Sequence, residues 1–163
     1  MHIRALVTAL CIVCVGGWAG QQAAAPKPHP LTAKDLQALR WIEGSWRGTG
    51  GGVPPFFERY HFENTTTLVM ESLENDKVTS TSKYELRNGE FGTGTGSSGQ
   101  VATAFDGTSI TFEFVARQRG GYKWERVNDN AWRAILMVPA SASRPAGERV
   151  YQMERIGKAP ASR

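Results

Sequence analysis

From Trp46 to Ile156 the apolar and polar positions of this chain alternate with a period of two, the pattern of strands that bury one face. The strands it predicts run over residues 46–51, 56–63, 66–74, 77–87, 90–94, 99–105, 109–117, 122–128, 131–138 and 148–156. Where alternation is clean the faces can be assigned. Ile110, Phe112, Phe114 and Ala116 point one way and Thr111, Glu113 and Arg117 the other, with Val115 out of step. Tyr122 and Trp124 oppose Lys123 and Glu125, and Trp132, Ala134, Leu136 and Val138 oppose Arg133. Hairpin signals punctuate the run at Asn75-Asp76, Asn88-Gly89, Asp106-Gly107, Gly120-Gly121 and Asn128-Asp129-Asn130. Several of these pairs supply the positive φ that tight hairpin turns demand. One apolar face on about ten locally connected strands closes most economically into an all-β, up-and-down antiparallel barrel of about 8–10 strands. A two-layer sandwich is the alternative, but successive hairpins favour a meander over Greek-key crossings.

Before Trp46 the period is helical. Thr32 and Asp35 have the outline of a capping box, with Asp in place of the usual Glu or Gln. Leu36, Leu39 and Ile42 then fall on one face of a helix of about ten residues, which ends at Gly44, where a positive φ can terminate it. The stretch LRWIEGSWRGTG, residues 39–50, therefore reads as the plug and first strand of the barrel.

The ends of the chain belong to neither pattern. Met1–Arg4 is basic, Ala5–Val15 is apolar, and Gly16, Gly17, Ala19 and Gly20 are small, which is the order of a secretory signal peptide. Cleavage after Ala19 fits the small-residue rule, and Ala24 is a second choice. The apolar run is too short to span a bilayer, so no membrane span is expected once it is removed. Residues 20–31 are rich in proline and alanine and read as a flexible linker, 32–157 as the barrel domain, and 158–163 as a disordered tail. His29, between two prolines, reads as a solvated linker residue. The protein is thus expected to be exported, to the periplasm or beyond the cell.

Export changes the chemistry on offer. Cys11 and Cys14 both lie in the removed segment, so the mature chain has no thiol, disulfide or sulfur metal site. Without Arg4, 18 basic residues stand against 15 acidic ones. No basic stripe with interleaved aromatics appears, which argues against a nucleic-acid partner. Gly94-Thr95-Gly96-Ser97-Ser98-Gly99 matches a dinucleotide fingerprint letter by letter, but a strand-like QVATAF follows where a helix would have to begin, so it reads as a rim loop. No Ser/His/Asp set, phosphate loop or metal spacing is found, so no catalytic residue and no metal site are assigned.

The lumen carries the remaining candidates. In FFERYHF, alternation puts Phe56, Glu58, Tyr60 and Phe62 on one face and Phe57, Arg59 and His61 on the other. Glu58 among three aromatics needs a partner such as an arginine or carries a raised pKa. His61 is expected to point outward; turned inward it would contact a ligand. Val78, Ser80, Ser82, Tyr84 and Leu86 share a face, and small hydroxyls in mid-face leave room for a cavity unless that face is the exposed one. The candidate lumen residues are Glu58, Tyr60, Phe62, Ser80, Ser82, Tyr84, Phe112, Phe114, Trp124 and Trp132. They suit a small hydrophobic molecule.

Gly44-Ser45-Trp46 after a short helix, the hairpin meander, and Arg155 in the last strand (YQMERI) resemble the calycin superfamily, which includes lipocalins and fatty-acid-binding proteins. The resemblance implies that Trp46 packs under Arg155 and closes one barrel end. More narrowly, LRWIEGSWRGTGGG with Glu58 in the next strand is similar to nitrobindin-like barrels and to exported bacterial domains of that type. Such barrels hold haem through a histidine near the chain's end. Here the last strand has Tyr151 and Met153 instead, which disfavours haem and leaves Tyr151 and His61 as the ligand candidates to check. Two functions follow: a non-enzymatic lipocalin-like carrier of a small apolar or amphipathic ligand, or a haem-binding or catalytic nitrobindin-like barrel.

Overall fold

A computed structural model describes residues 28–94, 99–115 and 120–157. The expected signal peptide, residues 20–27 of the linker, residues 95–98, Ala116, Arg117 and the tail 158–163 lie outside the described residues. The chain forms a short helix, α1 (Ala33–Gln37), and ten strands: β1 (Gly44–Gly50), β2 (Val53–Phe62), β3 (Thr67–Glu74), β4 (Lys77–Arg87), β5 (Glu90–Thr93), β6 (Gln100–Phe105), β7 (Ser109–Phe114), β8 (Gly121–Asn128), β9 (Ala131–Val138) and β10 (Gly147–Ile156). Each strand pairs antiparallel with its sequence neighbours, and β1 pairs with β10 from Ser45↔Ile156 to Gly50↔Tyr151, closing the barrel. Among the described residues no helix is long and apolar enough to cross a membrane, a statement that says nothing of strands.

The turns show why the meander closes. Asn75 and Asp76 (φ 49° and 61°) and Asn88 and Gly89 (φ 52° and 83°) put both central residues at positive φ, matching the strand twist. Asp106 accepts the amides of Thr108 and Ser109 at 2.8 and 2.6 Å, and these bonds hold its carboxyl at about 2. Gly120-Gly121 is not a two-residue turn: Gly121 opens β8, and the connection spans residues 115–120.

Three other expectations are corrected by register. β2 begins at Val53, not at 56, and contains Pro54 and Pro55. The register against β1 shifts between Gly48↔Phe56 and Gly50↔Val53, so both prolines fall in that irregularity, ahead of the β2–β3 pairing that starts at Phe57↔Leu73. Val78 leaves the inward face, because the β3–β4 register slips between Ser72↔Ser80 and Leu73↔Val78. The helix lasts five residues and tightens into a 3-10 turn over Ala38–Ile42, which places Leu39 and Ile42, three apart, over one another and fully buried.

The capping box forms as expected, with Thr32 N–H donating to Asp35 Oδ2 at 2.8 Å and Asp35 N–H to Thr32 Oγ1 at 3.3 Å. The helix plugs one end of the barrel. His29 N–H donates to Ala102 O at 2.7 Å and Leu31 N–H to Gly89 O at 2.8 Å, so the segment expected to be free linker is tied down from His29 onward. Trp46, fully buried, donates from Nε1 to Ile42 O at 2.6 Å. The Arg155 guanidinium lies 4.0 Å above the Trp46 ring and donates to Glu43 O at 2.5 Å, Trp41 O at 2.9 Å and Asp129 O at 2.9 Å. One side chain thereby joins the last strand to the plug, the first strand and the β8–β9 turn. Gly44, at φ 121°, is obligatory here: a Cβ would lie 2.3 Å from Arg155 Nη1.

Among the described residues the shortest seam is β5–β6, paired at Gly92↔Val101 and Thr93↔Gln100. The two backbones approach so closely there that a Cβ on Gly92 would meet Gln100 O at 1.8 Å. The outer wall is charged, with pairs such as Lys83–Glu63 at 2.7 Å and Lys123–Glu125 at 3.1 Å.

Candidate functional site

The plugged half of the lumen is filled by aromatic rings. Trp132 meets Trp41, Trp46, Tyr60 and Trp124 edge to face at 6.2, 6.0, 5.7 and 6.0 Å. Beside it, Phe112 packs against Tyr84, Tyr122 and Trp124 at 5.3, 5.0 and 5.0 Å. Such arrangements favour ring edges against ring faces and rigidify the floor. The Trp132 Nε1 proton is buried with no acceptor among the described residues.

Above this floor lies a cavity of about 470 Å³, bounded by Phe56, Glu58, Tyr60, Met70, Tyr84, Trp124, Ala134, Leu136, Tyr151 and Met153, with Val53 and Pro54 at its mouth. Two small residues make the room. Ala134 faces Trp124 on one side and Tyr151 on the other. Gly48 lies beneath the ring of Phe56, which a Cβ there would meet at 2.2 Å, so the ring rests on the wall, edge to face with Tyr151 at 5.5 Å.

Glu58 is the polar feature of this wall. Tyr60 donates to its Oε2 at 2.7 Å, and Oε1 has no protein donor among the described residues. Burial pushes the Glu58 pKa up, and the Tyr60 bond offsets this only in part. Burial, together with the Glu58 charge, pushes the Tyr60 hydroxyl well above its ordinary value; burial likewise holds Tyr84 at about 12. Tyr122, also raised by burial, donates to Gln100 Oε1 at 2.5 Å, with the Tyr84 hydroxyl 3.0 Å away. All three phenols are therefore protonated at neutral pH, and Tyr60 and Tyr122 serve as hydrogen-bond donors.

A raised carboxyl pKa has a defined sign in stability. The folded chain holds the Glu58 proton more tightly than the unfolded one, so stability falls as pH rises from about 4.3, the unfolded value, through the raised folded value, and is flat above it. Glu58→Gln keeps an acceptor for Tyr60 and removes the buried charge. Its stability relative to the parent should climb across that window and level off, as followed by urea midpoints at successive pH values. A difference that shrinks with rising pH would contradict the burial of this group.

Of the ten lumen candidates, Glu58, Tyr60, Tyr84 and Trp124 line the cavity together. Phe112 and Trp132 lie in the floor, fully buried. Phe62 sits at the plugged end under the Arg40 guanidinium at 4.8 Å, and Phe114 is edge-on to Tyr122 at 6.5 Å. Ser80 is exposed and Ser82 half-buried; they face Ser72 and Met70, and neither lines the cavity. His61 points outward, 48% exposed, 4.0 Å from a Glu71 carboxylate that Arg59 also holds at 2.6 Å. Tyr151 faces inward near the mouth, on the opposite side of the wall from His61, so the two do not converge. Among the described residues no group of three or more His, Cys, Asp or Glu side chains is placed to hold a metal. Sequence reasoning did not name Phe56, Met70, Ala134, Leu136 and Met153 as lining residues, although it placed Phe56 on one face with Glu58 and Tyr60, and Ala134 and Leu136 on one face with Trp132.

No protein-family model matches the chain, and no curated protein matches it. Among solved structures it is similar to a redesigned beta barrel at 9% identity, covering 74% of this chain and 96% of that one with a TM-score of 0.38, a likeness too slight to bear on function.

Proposed function

We propose that this chain is an exported, calycin-like barrel that holds a small apolar or amphipathic molecule in its lumen without transforming it. The observation that carries this reading is the 470 Å³ cavity, walled by aromatic and aliphatic side chains with a single carboxylate-tyrosine pair among them. Sites for small ligands combine such apolar walls with few polar groups that fix orientation. The calycin assignment is supported by Trp46 packed beneath Arg155 at the plugged end. Export is supported by the order of charge, apolar run and small residues over positions 1–19. A mature N-terminus at Gly20 on the secreted protein checks it, and an intact Met1 would refute it.

Haem is the disfavoured reading. The only barrel histidine, His61, faces outward, and Tyr151 stands edge-on to Phe56 at the mouth.

The carrier reading is tested by titrating the purified protein with N-phenyl-1-naphthylamine, an uncharged fluorophore that brightens in apolar surroundings. Saturable binding of one probe per chain with quenching of tryptophan emission is expected, since Trp124 lines the cavity. Emission that rises without saturating, as for weak surface adsorption, would refute it.

A further inference from the structure

We infer that the lumen is built for an organic cation, an amphipathic molecule whose ammonium group sits against Glu58 while its apolar body lies along the aromatic walls. This rests on the carrier reading and names the chemistry of its ligand. A carboxylate taken from water is normally paired with a cation or saturated with donors. Glu58, half-buried in the cavity wall, is neither: one oxygen accepts from Tyr60 at 2.7 Å, and the other opens onto the cavity with no protein donor among the described residues.

Among the described residues, the elements packed around it supply no counter-charge. Its cross-strand neighbours are Trp46 on β1 and Ser72 on β3. Sharing the cavity with it are Tyr84 from β4, Trp124 from β8, and Tyr151 and Met153 from β10. The titratable groups in that set are tyrosines, none of which can carry a positive charge. Arg149 shares the inward parity of Tyr151 but stands exposed at the rim, and Arg155 is spent on the Trp46 ring and three carbonyls.

The same walls are what a cation prefers. Ammonium groups are attracted to the faces of Trp and Tyr, more so when desolvated. Tyr60, Tyr84 and Trp124 converge beside Glu58, with ring centroids of Tyr60 and Trp124 5.7 Å apart and of Tyr84 and Trp124 5.0 Å apart. A fatty acid would bring a second anion to a buried carboxylate. A neutral alcohol would leave the charge uncompensated.

The test compares octyltrimethylammonium, 1-octanol and octanoate by calorimetry on the same protein at about pH 8. The cation should bind about tenfold or more tightly than either competitor, the equivalent of about 1.4 kcal/mol. In E58Q the ratio of cation to alcohol affinity should fall to within about twofold. On the parent protein the cation's own charge does not titrate, so its affinity should weaken as pH is lowered through the Glu58 value, and binding near that value should release a proton from the carboxyl to buffer. This arm stands even if the E58Q chain does not fold. Alcohol binding as tight as the cation, or a preference that survives E58Q or is unchanged by pH, overturns the inference and leaves the carrier reading intact. If none of the three probes binds, the carrier reading fails and the inference with it.

Discussion

Trp46→Ala is expected to destabilise the barrel by about 3–5 kcal/mol, the cost of truncating a large, fully buried aromatic side chain. The ring is 0% exposed, it donates to Ile42 O at 2.6 Å, it meets Trp132 edge to face at 6.0 Å, and it carries the Arg155 guanidinium 4.0 Å above its face. The substitution therefore leaves a cavity, an unpaired carbonyl and a cation without its aromatic platform. Urea denaturation measures the loss. A double-mutant cycle with Arg155→Met isolates the stacking, expected at about 0.5–2 kcal/mol. A loss below about 1 kcal/mol for Trp46→Ala would mean that the barrel does not depend on this end being sealed.

The second large effect is on binding. Ala134 sits at mid-height in the cavity wall, between Trp124 on β8 and Tyr151 on β10. Ala134→Trp places an indole in the space a ligand would take, and should weaken N-phenyl-1-naphthylamine binding by about tenfold or more. Because the ring enters vacant volume instead of a packed core, stability should stay within about 1.5 kcal/mol of the parent. Unchanged probe affinity in a folded Ala134→Trp chain would place the probe outside the lumen.

Much of the architecture is legible in the sequence because its causes are local. Asn75-Asp76 and Asn88-Gly89 announce turns through the φ they tolerate, and Thr32 with Asp35 announces a helix start through side-chain bonds to its own backbone. Alternation in β8 and β9 assigns Trp124, Trp132 and Ala134 correctly because those strands pair over most of their length. Legibility ends where register matters. The shift at Ser72/Leu73 that turns Val78 outward, and the one at Gly48/Gly50 that admits Pro54 and Pro55, depend on the partner strand and leave no mark in the strand's own pattern.

The site was legible in kind but not in outline. Glu58 among aromatics pointed to a shifted carboxyl from spacing alone, and the question of whether an arginine reaches it required the closed barrel to answer. The serines of β4 allow two readings, a face that makes the room or an exposed face with a shifted register, and the second holds at Ser80. The room comes from Ala134 and from Gly48 beneath Phe56, contributed by strands distant in sequence. A cavity is a relation among facing strands, so one strand read alone cannot show it.

The most direct test of the lumen as the functional site is chemical-shift mapping by nuclear magnetic resonance while N-phenyl-1-naphthylamine is added. The account predicts saturable shifts concentrated at Tyr60, Tyr84, Trp124, Ala134 and Met153, with the outer-wall residues Phe57, Val78 and Val127 unmoved. Shifts confined to those exposed outer residues, with the lumen silent, would contradict it.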